Sequence, residues 1–421
     1  MRSNYKRIGD YITEVKIRNK KLETKNLLGI NIDKFFMPSV ANVIGTDMSV
    51  YKLVKKNQFA CNRMHVGRDY RLPVSMSTND EEFIVSPAYD VFEIIDTNII
   101  YPEYLMMWFT RREFDRNAWF YTDADVRGGL HWKALCDMQL PIPTIAKQKE
   151  IVKEYSVIQN RIALNKQLIQ KLEETAQAIY KEWFVDFEFP EENGKPYKSS
   201  GGEMVFNEEL EKEIPKGWEV GNLGDITDVV NGYAFGHSDF DINGNYPIIK
   251  IANIISPNVE IETAYYFGGE INNSIRKSII RNGDILISMT GSHMNQMNSA
   301  VGKIGRYNYD AQAILNQRVG KLQPKYKCAE FLFRIMLQEV TQKEILMAAT
   351  GSANQANIAP DTIKNVRIII PSLSNLLLFE NVASKIKIQS DNYKKLNRTL
   401  KNLESLLLSK LATINKNDYK G

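Results

Sequence analysis

The chain has few of the side chains that bind metals or form disulfides. Its 421 residues include only three cysteines, Cys61, Cys136 and Cys328, and four histidines, none at the spacing of a metal site. A structural zinc site or a disulfide framework needs such residues in closely spaced groups. The composition therefore excludes a disulfide-stabilised secreted domain and a zinc-binding domain, and it fits a reducing cytoplasm.

Long apolar runs are also missing. No stretch approaches the roughly 20 apolar residues of a membrane-spanning helix, and the first residues, Met-Arg-Ser-Asn-Tyr-Lys, do not resemble a signal peptide. Hydrophobic residues nevertheless make up 43% of the chain, which is enough for packed cores. We therefore expect a cytoplasmic protein that has no membrane partner.

Catalytic motifs are absent as well. Residues 301–303 (Val-Gly-Lys) lack the first glycine and the hydroxyl of an ATP-binding P-loop. Residues 86–89 (Ser-Pro-Ala-Tyr) lack the second proline of the loop with which amino-methyltransferases hold a target base. Asp186 and Glu188 have no lysine at nuclease spacing. We therefore expect no catalytic residue and no metal site in this chain.

Two long amphipathic helices dominate what the sequence does contain. Between residues 147 and 184, apolar residues recur at intervals of three and four without a glycine or proline, which is the pattern of a coiled coil. The same pattern returns between Phe379 and Leu407. We predict that the two helices pack on each other through Ile158, Ile162, Asn165, Ile169 and Leu172 of the first helix and Gln389, Tyr393, Leu396, Leu400 and Leu403 of the second.

The segments before the two helices share one plan. Residues 7–10 (Arg-Ile-Gly-Asp) and 222–225 (Asn-Leu-Gly-Asp) each open a region of short strands, which ends in an apolar strand and a proline before the helix. We therefore predict an α+β tandem pseudo-repeat, in which an antiparallel coiled coil of two long helices separates two globular mixed α/β domains. The predicted boundaries are 1–144 for the first domain, 145–188 for the first helix, 189–213 for a linker, 214–372 for the second domain and 373–415 for the second helix.

Polar loops in both domains carry residues of the kinds that contact DNA. The net charge of +4 permits nucleic-acid binding without requiring it. Asn and Gln pair with adenine and Arg with guanine in the major groove, whereas cations contact phosphates. A single polar loop residue is most often simply solvated, but loops at corresponding positions in both domains favour double-stranded DNA as the ligand. The candidate residues are Arg63, Arg68, Arg71, Arg127 and His131 in the first domain and Ser292, Asn295, Gln296, Lys303, Arg306, Asn354 and Gln355 in the second.

Several motifs resemble those of the specificity (S) subunit of type I restriction–modification enzymes. They are Pro-Ile-Pro at residues 141–143, Trp-Phe-Val-Asp-Phe at 183–187, Ile-Pro-Lys-Gly-Trp at 214–218 and the loop at 350–358. The resemblance covers nearly the whole chain. It implies two target-recognition domains, each of which recognises one half of a split DNA site. It also implies that the coiled coil sets the spacing of these domains and docks the methyltransferase (M) subunits.

The resemblance further implies that the chemistry lies in partner subunits. S-adenosylmethionine and ATP with magnesium are expected in the M subunits and the restriction (R) subunits of the complex, and this subunit is expected to bind no cofactor. The chain would then be a non-catalytic subunit in a host-defence system. The alternatives are a recognition module of another DNA methyltransferase system, a non-catalytic coiled-coil scaffold for proteins, and an enzyme whose site has no recognisable motif.

Overall fold

The structure is a computed structural model that describes residues 5–40, 45–64, 66–122, 128–241, 243–292, 299–352 and 355–413. The chain forms two compact units. Unit 1 comprises Met1–Asn165 with Lys395–Gly421, and unit 2 comprises Lys166–Lys394. Both division points fall inside long helices, so each unit contains a part of both helices.

Unit 1 is built from short strands and helices around a sheet of four strands in the order β2-β9-β6-β7. The pairs β1-β10, β3-β4 and β5-β8 are separate antiparallel ladders. Its helices are α1 (Val66–Asp69), α2 (Pro102–Thr110), α3 (Arg112–Phe120), α4 (Trp132–Asp137) and the first part of α5 (Ile145–Phe184). Its strands are β1 (Tyr5–Arg7), β2 (Ile12–Val15), β3 (Leu28–Ile30), β4 (Phe36–Pro38), β5 (Lys52–Val54), β6 (Phe59–Cys61), β7 (Val74–Met76), β8 (Phe83–Val85), β9 (Asp90–Ile94) and β10 (Gln139–Pro141).

Aromatic side chains fill the centre of unit 1. The rings of Phe59 and Phe92 stack with their centroids 5.1 Å apart, and Phe109 from α2 packs edge-on against both. All three rings are fully buried. Because buried aromatic rings contribute both apolar area and specific ring geometry, this contact fixes α2 on the four-stranded sheet.

Unit 2 has two larger sheets, in the orders β14-β25-β21-β23-β18-β17 and β15-β19-β16-β24-β20. Three smaller ladders join β11 to β12, β13 to β28, and β22, β27 and β26 to one another. Its helices are α6 (Leu223–Ile226), α7 (Asn273–Arg276), α8 (Ala329–Met336), α9 (Glu339–Met347), α10 (Pro360–Lys364) and most of α11 (Leu373–Lys410). Its strands are β11 (Met204–Asn207), β12 (Lys212–Pro215), β13 (Glu219–Asn222), β14 (Thr227–Asn231), β15 (Phe240–Asp241), β16 (Tyr246–Ile249), β17 (Ile254–Ile255), β18 (Asn258–Val259), β19 (Tyr265–Phe267), β20 (Ile279–Ile280), β21 (Ile285–Ser288), β22 (Thr290–Gly291), β23 (Ile304–Arg306), β24 (Ala313–Leu315), β25 (Val319–Pro324), β26 (Thr350–Ser352), β27 (Gln355–Asn357) and β28 (Arg367–Ile370).

The Trp-Phe-Val-Asp-Phe motif belongs to the core of unit 2. Phe184, the last residue of α5, packs edge-on against Phe331 of α8 at 4.9 Å and against Phe379 of α11 at 5.0 Å. Phe187 packs against Trp218 at 5.6 Å. The motif therefore fixes the C-terminal end of α5 in unit 2 through apolar contacts.

The tandem repeat is visible in the backbone. β1 pairs with β10, which ends just before α5, and β13 pairs with β28, which ends just before α11. A short helix follows β1 and another follows β13, and each contains a glycine pressed against a second short helix. A Cβ built on Gly9 would lie 2.6 Å from Cys136 Cβ, and one on Gly224 would lie 3.1 Å from Lys364 Cβ. The repeated Gly-Asp sequence is thus explained by close packing.

The two long helices run antiparallel within each unit. In unit 1, Tyr155 Oη donates to Glu404 Oε1 at 3.1 Å, and Asn165 Nδ2 donates to Asn397 Oδ1 at 2.8 Å. In unit 2, Glu173 Oε1 lies 3.9 Å from Lys394 Nζ, and the Tyr180 and Phe379 rings are 6.2 Å apart. Residues further along α5 therefore contact residues earlier in α11, which is the arrangement of antiparallel helices. The predicted fold class, an α+β fold with an antiparallel helix pair, is therefore confirmed.

The seam between the helices, meaning the face of each that contacts the other, was predicted well for α5 only. Ile162 and Asn165 are buried in it, and the other three predicted α5 residues are half-buried. On α11 the inner positions recur every seven residues at Leu376, Ala383, Ser390 and Asn397, and Leu411 continues the same spacing. The predicted partners Gln389, Leu396 and Leu403 each lie one residue away and are exposed, so their assignment was wrong, whereas Tyr393 and Leu400 are half-buried.

The cause of this error is the chemistry of the inner positions. Ala383, Ser390 and Asn397 are small or polar, and the apolar pattern instead follows residues such as Val382 and Leu396, one position before Ala383 and Asn397. Small side chains allow the helix backbones to approach closely, and buried Asn pairs across such a seam specify register.

None of the helices in the described part of the chain combines the length and apolar character of a membrane span.

Candidate nucleic-acid interface

The two loops predicted to contact DNA in unit 1 lie against each other. The backbone N–H of Gly67 donates to the carbonyl of Gly128 at 2.7 Å, and that of Leu130 donates to the carbonyl of Arg63 at 2.9 Å. Gly128 has a φ of +58°, and a Cβ built on Gly67 would lie 2.8 Å from Gly128 Cα. The glycines therefore let the two backbones touch. We call the joined residues 62–64, 66–71 and 128–131 the unit 1 surface.

Arg63 holds this surface together from within. Its Nε donates to Asp90 Oδ2 at 2.5 Å, and its guanidinium also donates to the carbonyl of Leu130. The side chain is half-buried, with the guanidinium carbon 5.9 Å from the centroid of the Trp132 ring. Its contacts are therefore internal ones that position the loop containing Leu130.

Other candidate residues of unit 1 face the solvent. Arg68 is exposed and its Nε lies 2.6 Å from Asp69 Oδ1, while Arg71 is exposed and its Nη1 lies 2.7 Å from Asp33 Oδ1. Exposed ion pairs of this kind contribute little to stability, so both guanidinium groups can exchange a carboxylate for a phosphate or a base edge. His131 is exposed at the N-cap of α4. Arg127 lies outside the described residues.

In unit 2 the two predicted loops meet in one small sheet. β27 is its central strand and pairs with β22 on one side (Gly291 opposite Ala356) and with β26 on the other (Ser352 opposite Gln355). The segment 350–357, predicted as a loop, is therefore largely a β-hairpin. We call residues 290–292, 299–303, 350–352 and 355–357 the unit 2 surface.

The glycines of this sheet are required by its packing. A Cβ on Gly351 would lie 1.9 Å from the carbonyl oxygen of Gln355, and one on Gly291 would lie 2.4 Å from the backbone nitrogen of Val301. Real Cβ atoms do not approach backbone atoms so closely. A side chain at Gly351 would force β26 and β27 apart, and one at Gly291 would push away the segment that contains Val301.

Polar side chains of the unit 2 surface are half-buried at the sheet. Ser299 Oγ donates to the carbonyl of Ser292 at 2.6 Å, which ties the two ends of the intervening segment together. Gln355 Nε2 donates to Asn357 Oδ1 at 3.3 Å, and the Lys303 side chain is half-buried. The candidates Asn295, Gln296 and Asn354 lie outside the described residues.

Arg306 was predicted to contact DNA, and the structure contradicts this. It is only 5% exposed, its Nη1 donates to Glu330 Oε2 at 2.9 Å, and its guanidinium carbon lies 3.9 Å from the centroid of the Phe333 ring. A guanidinium buried against a carboxylate and an aromatic ring cannot reach a phosphate on a bound duplex. Its function is to attach β23 to α8.

Sequence reasoning missed a set of exposed aromatic side chains beside the unit 1 surface. Tyr70, Trp119, Phe120 and Tyr121 are all exposed, and the rings of Tyr70 and Trp119 are 5.3 Å apart. The signal in the sequence is a run of three aromatic residues at the end of a helical pattern, immediately before a polar loop.

Among the described residues, no group of three or more His, Cys, Asp or Glu side chains is placed to hold a metal ion.

The known proteins to which this chain is similar are specificity subunits of type I restriction enzymes. Residues 215–412 match the type I restriction modification DNA specificity domain. The specificity subunit of the type I restriction enzyme MjaIX from Methanocaldococcus jannaschii is 27% identical in an alignment of 296 positions, gaps included, that covers 68% of this chain and 64% of that protein. The HindI specificity subunit from Haemophilus influenzae is 23% identical in an alignment of 432 positions, gaps included, that covers 90% of this chain and 91% of that protein. This chain thus spans less than two thirds of the archaeal relative.

A solved structure shows the same fold. The type I restriction–modification S subunit from M. genitalium superimposes with a TM-score of 0.53 over 98% of this chain and 96% of that one, at 14% sequence identity. At this level of identity the likeness is one of fold.

Proposed function

We propose that this chain is a specificity subunit of a type I restriction–modification complex and that it selects the DNA sequence on which the complex acts. The support is the match of residues 215–412 to the type I restriction modification DNA specificity domain and the similarity to specificity subunits. It is a non-catalytic subunit. The unit 1 surface recognises one half of a split target, and the unit 2 surface recognises the other half. The long helices set the number of unrecognised base pairs between the halves.

The observation that carries this proposal is the assembly of two separate loop segments in each unit. In unit 1, residues about 60 positions apart in sequence join at Gly67 and Gly128, and in unit 2 the same happens between β22 and β27. Each surface is supported by glycines that leave no room for a side chain. A rigid backbone that presents polar side chains is what base recognition needs, because bidentate contacts depend on geometry.

The long helices also support the proposed partners. Several large apolar side chains on them are exposed in this chain, including Val157, Leu164, Leu373, Ile388 and Leu406. Exposed apolar residues spread along paired helices favour a protein partner. We propose that M subunits dock there and that R subunits join through the complex. S-adenosylmethionine, ATP and magnesium belong to those partners, and the complex works in the cytoplasm.

Mapping of methylated adenines in a host genome, with and without the gene, tests the proposal. The wild-type gene should add methylation at one bipartite sequence. Replacing both Arg68 and Arg71 with Ala should relax or abolish one half of that sequence, and Gln355→Ala should do so for the other half, because each lost base contact costs about 1–3 kcal/mol. Lys216→Ala, an exposed ion-paired lysine outside both surfaces, is the matched control.

Two outcomes would contradict the proposal. If both half-sites weaken equally in each variant, the surfaces contact phosphates and carry no sequence preference. If no methylation depends on the gene and the purified chain brings down no methyltransferase, the protein-scaffold alternative replaces the DNA-recognition subunit. The alternative of a module from another methyltransferase system predicts gene-dependent methylation at a continuous, undivided sequence.

A further inference from the structure

Helices α3 and α9 hold corresponding places in the two units. Each has nine residues, and each follows another short helix, α2 or α8, after a sharp turn. The residue before α3, Arg111, has φ −68° and ψ 139°, and the residue before α9, Gln338, has φ −67° and ψ 137°. Each helix ends just before the second segment of the surface in its own unit. The two helices are thus equivalent elements of the repeat.

Their last turns contact the surfaces in the same way. On α3 the second-last residue, Trp119, packs its ring on Tyr70 of the unit 1 surface. On α9 the second-last residue, Leu346, is the side chain nearest to Gly302 of the unit 2 surface, and a Cβ built there would lie 3.3 Å from Leu346 Cδ2. The corresponding residues therefore anchor each helix end to the surface beside it.

The last residue of each helix points away from this anchor into solvent. Phe120 is 77% exposed and Met347 is 83% exposed. A single exposed apolar side chain is ordinary in a folded protein. Two at corresponding positions, each beside a surface proposed to bind DNA, indicate a shared ligand.

A cation one helical turn before each of these residues favours DNA as that ligand. Four residues before Phe120 lies Arg116, and four residues before Met347 lies Lys343, so a cation stands one helical turn away on the same face in both units. Both cations are exposed, and Lys343 Nζ lies 2.6 Å from Glu339 Oε1 in an exposed ion pair, which a phosphate can replace at little cost. Such a cation can contact a phosphate while the apolar tip contacts the neighbouring base.

On the basis of the proposed function, we propose that Phe120 and Met347 are equivalent base-contacting residues, one for each half-site. Each places an apolar group either against a thymine methyl in the major groove or against an opened base step. Both modes use the apolar part of a base and both select sequence. Amide and guanidinium contacts from the surfaces supply the polar part of recognition.

The test uses the complex of this chain with its M subunits and the duplex identified by methylation mapping. Phe120→Ser should weaken binding to that duplex roughly tenfold, with the loss confined to the half-site of unit 1. Met347→Ser should do the same for the other half-site. Binding to random duplex and the amount of M subunit in the complex should not change. Phe206→Ser in unit 2 and Ile95→Ser in unit 1, at residues 60% and 61% exposed and outside both surfaces, are matched controls and should bind like wild type.

Replacing each thymine of a half-site by deoxyuridine distinguishes the two modes. A loss for wild type that is absent in the serine variant indicates a methyl contact, and an equal affinity of wild type for both duplexes indicates an opened base step. Wild-type affinity in both variants, or a loss of M subunit from the complex, overturns the inference. Failure of the wild-type complex to prefer any sequence over random duplex would instead overturn the proposed function itself.

Discussion

One side-chain oxygen from each long helix accepts a backbone hydrogen bond from the short helix beside it. In unit 1, Gln148 Oε1 accepts from the N–H of Tyr101 at 2.8 Å, at the start of α2. In unit 2, Glu380 Oε1 accepts from the N–H of Phe331 at 2.9 Å, in the first turn of α8. Both side chains are buried, and both satisfy donors that a helix leaves unpaired at its N-terminus. Gln148 is neutral at every pH, whereas the carboxyl of Glu380 ionises as the pH rises, with a pKa that burial raises to about 7.

Glu380→Gln should therefore stabilise the chain above neutral pH. The carboxyl of Glu380 has a pKa of about 7 in the folded chain and an ordinary pKa near 4.5 when unfolded, so its contribution to stability falls as pH rises between those values. Glutamine removes this loss. The free energy of unfolding of the variant should therefore exceed that of wild type by roughly 2–3 kcal/mol at pH 8, and the difference should vanish near pH 4.5. Urea unfolding at both pH values measures it. Gln148→Glu is the reciprocal control and should destabilise unit 1 mainly at pH 8; an equal effect of E380Q at both pH values would contradict the assignment.

The structural roles of residues in repeated local motifs could be predicted from the sequence. The roles of residues whose contacts lie on a different element could not. The glycines of residues 7–10 and 222–225 were found because they repeat. Arg306 was misassigned because Glu330 and Phe333 lie on a different element, and no local pattern marks the pair. The exposed position of Phe120 was missed because an aromatic residue in a helix is usually buried.

The packing of α5 on α11 could be predicted in type and direction but only partly in register. Periodicity located α5 within two residues of its observed start, since a long apolar stripe is a strong helical signal. The predicted inner face of α11 lies one residue away from the observed face, because Ser390 and Asn397 are polar. The pairings of the short strands, such as β22 with β27, could not be predicted, because register between distant strands depends on tertiary packing.

The buried pair Asn165 and Asn397 should show strong coupling in stability. Asn165→Leu leaves Asn397 Oδ1 without its donor in the seam, which should cost about 1–3 kcal/mol. The double variant with Asn397→Leu should recover all of this loss, since both polar groups are then gone. A double-mutant cycle from unfolding midpoints checks the coupling. Gln389→Leu, at an exposed position, should change stability by less than about 0.5 kcal/mol; additivity of the two seam variants would show that the asparagines do not interact.

The proposed function makes the spacing of the two half-sites a property of the whole molecule. Seven residues lengthen a helix by about 10 Å and keep its seam in phase, which corresponds to about three base pairs of B-form DNA. The two insertions must lie opposite each other in the antiparallel helices. Sites between Gln170 and Lys171 and between Lys394 and Lys395 keep Asn165 with Asn397 and Glu173 with Lys394.

A heptad added at both sites should lengthen the unrecognised gap and leave both half-site sequences unchanged. The measurement is methylation mapping with a library of targets whose gaps run from the wild-type length to about six base pairs longer, because added base pairs also rotate one half-site about the duplex. A heptad inserted in α5 alone is the control. It shifts the contacts of α5 along α11 by seven residues and should abolish recognition. Methylation by the double-insertion variant at the wild-type gap would show that helix length does not determine spacing.

Unit 1 is closed by residues from distant parts of the chain. Tyr5 Oη donates to the carbonyl of Ala412 at 3.0 Å, and Leu411 is buried in the unit 1 core. All of unit 2 lies between these segments in sequence. During synthesis the ribosome therefore releases every residue of unit 2 before the residues that complete unit 1. The part of the protein that is made first is therefore the last to have its full core available.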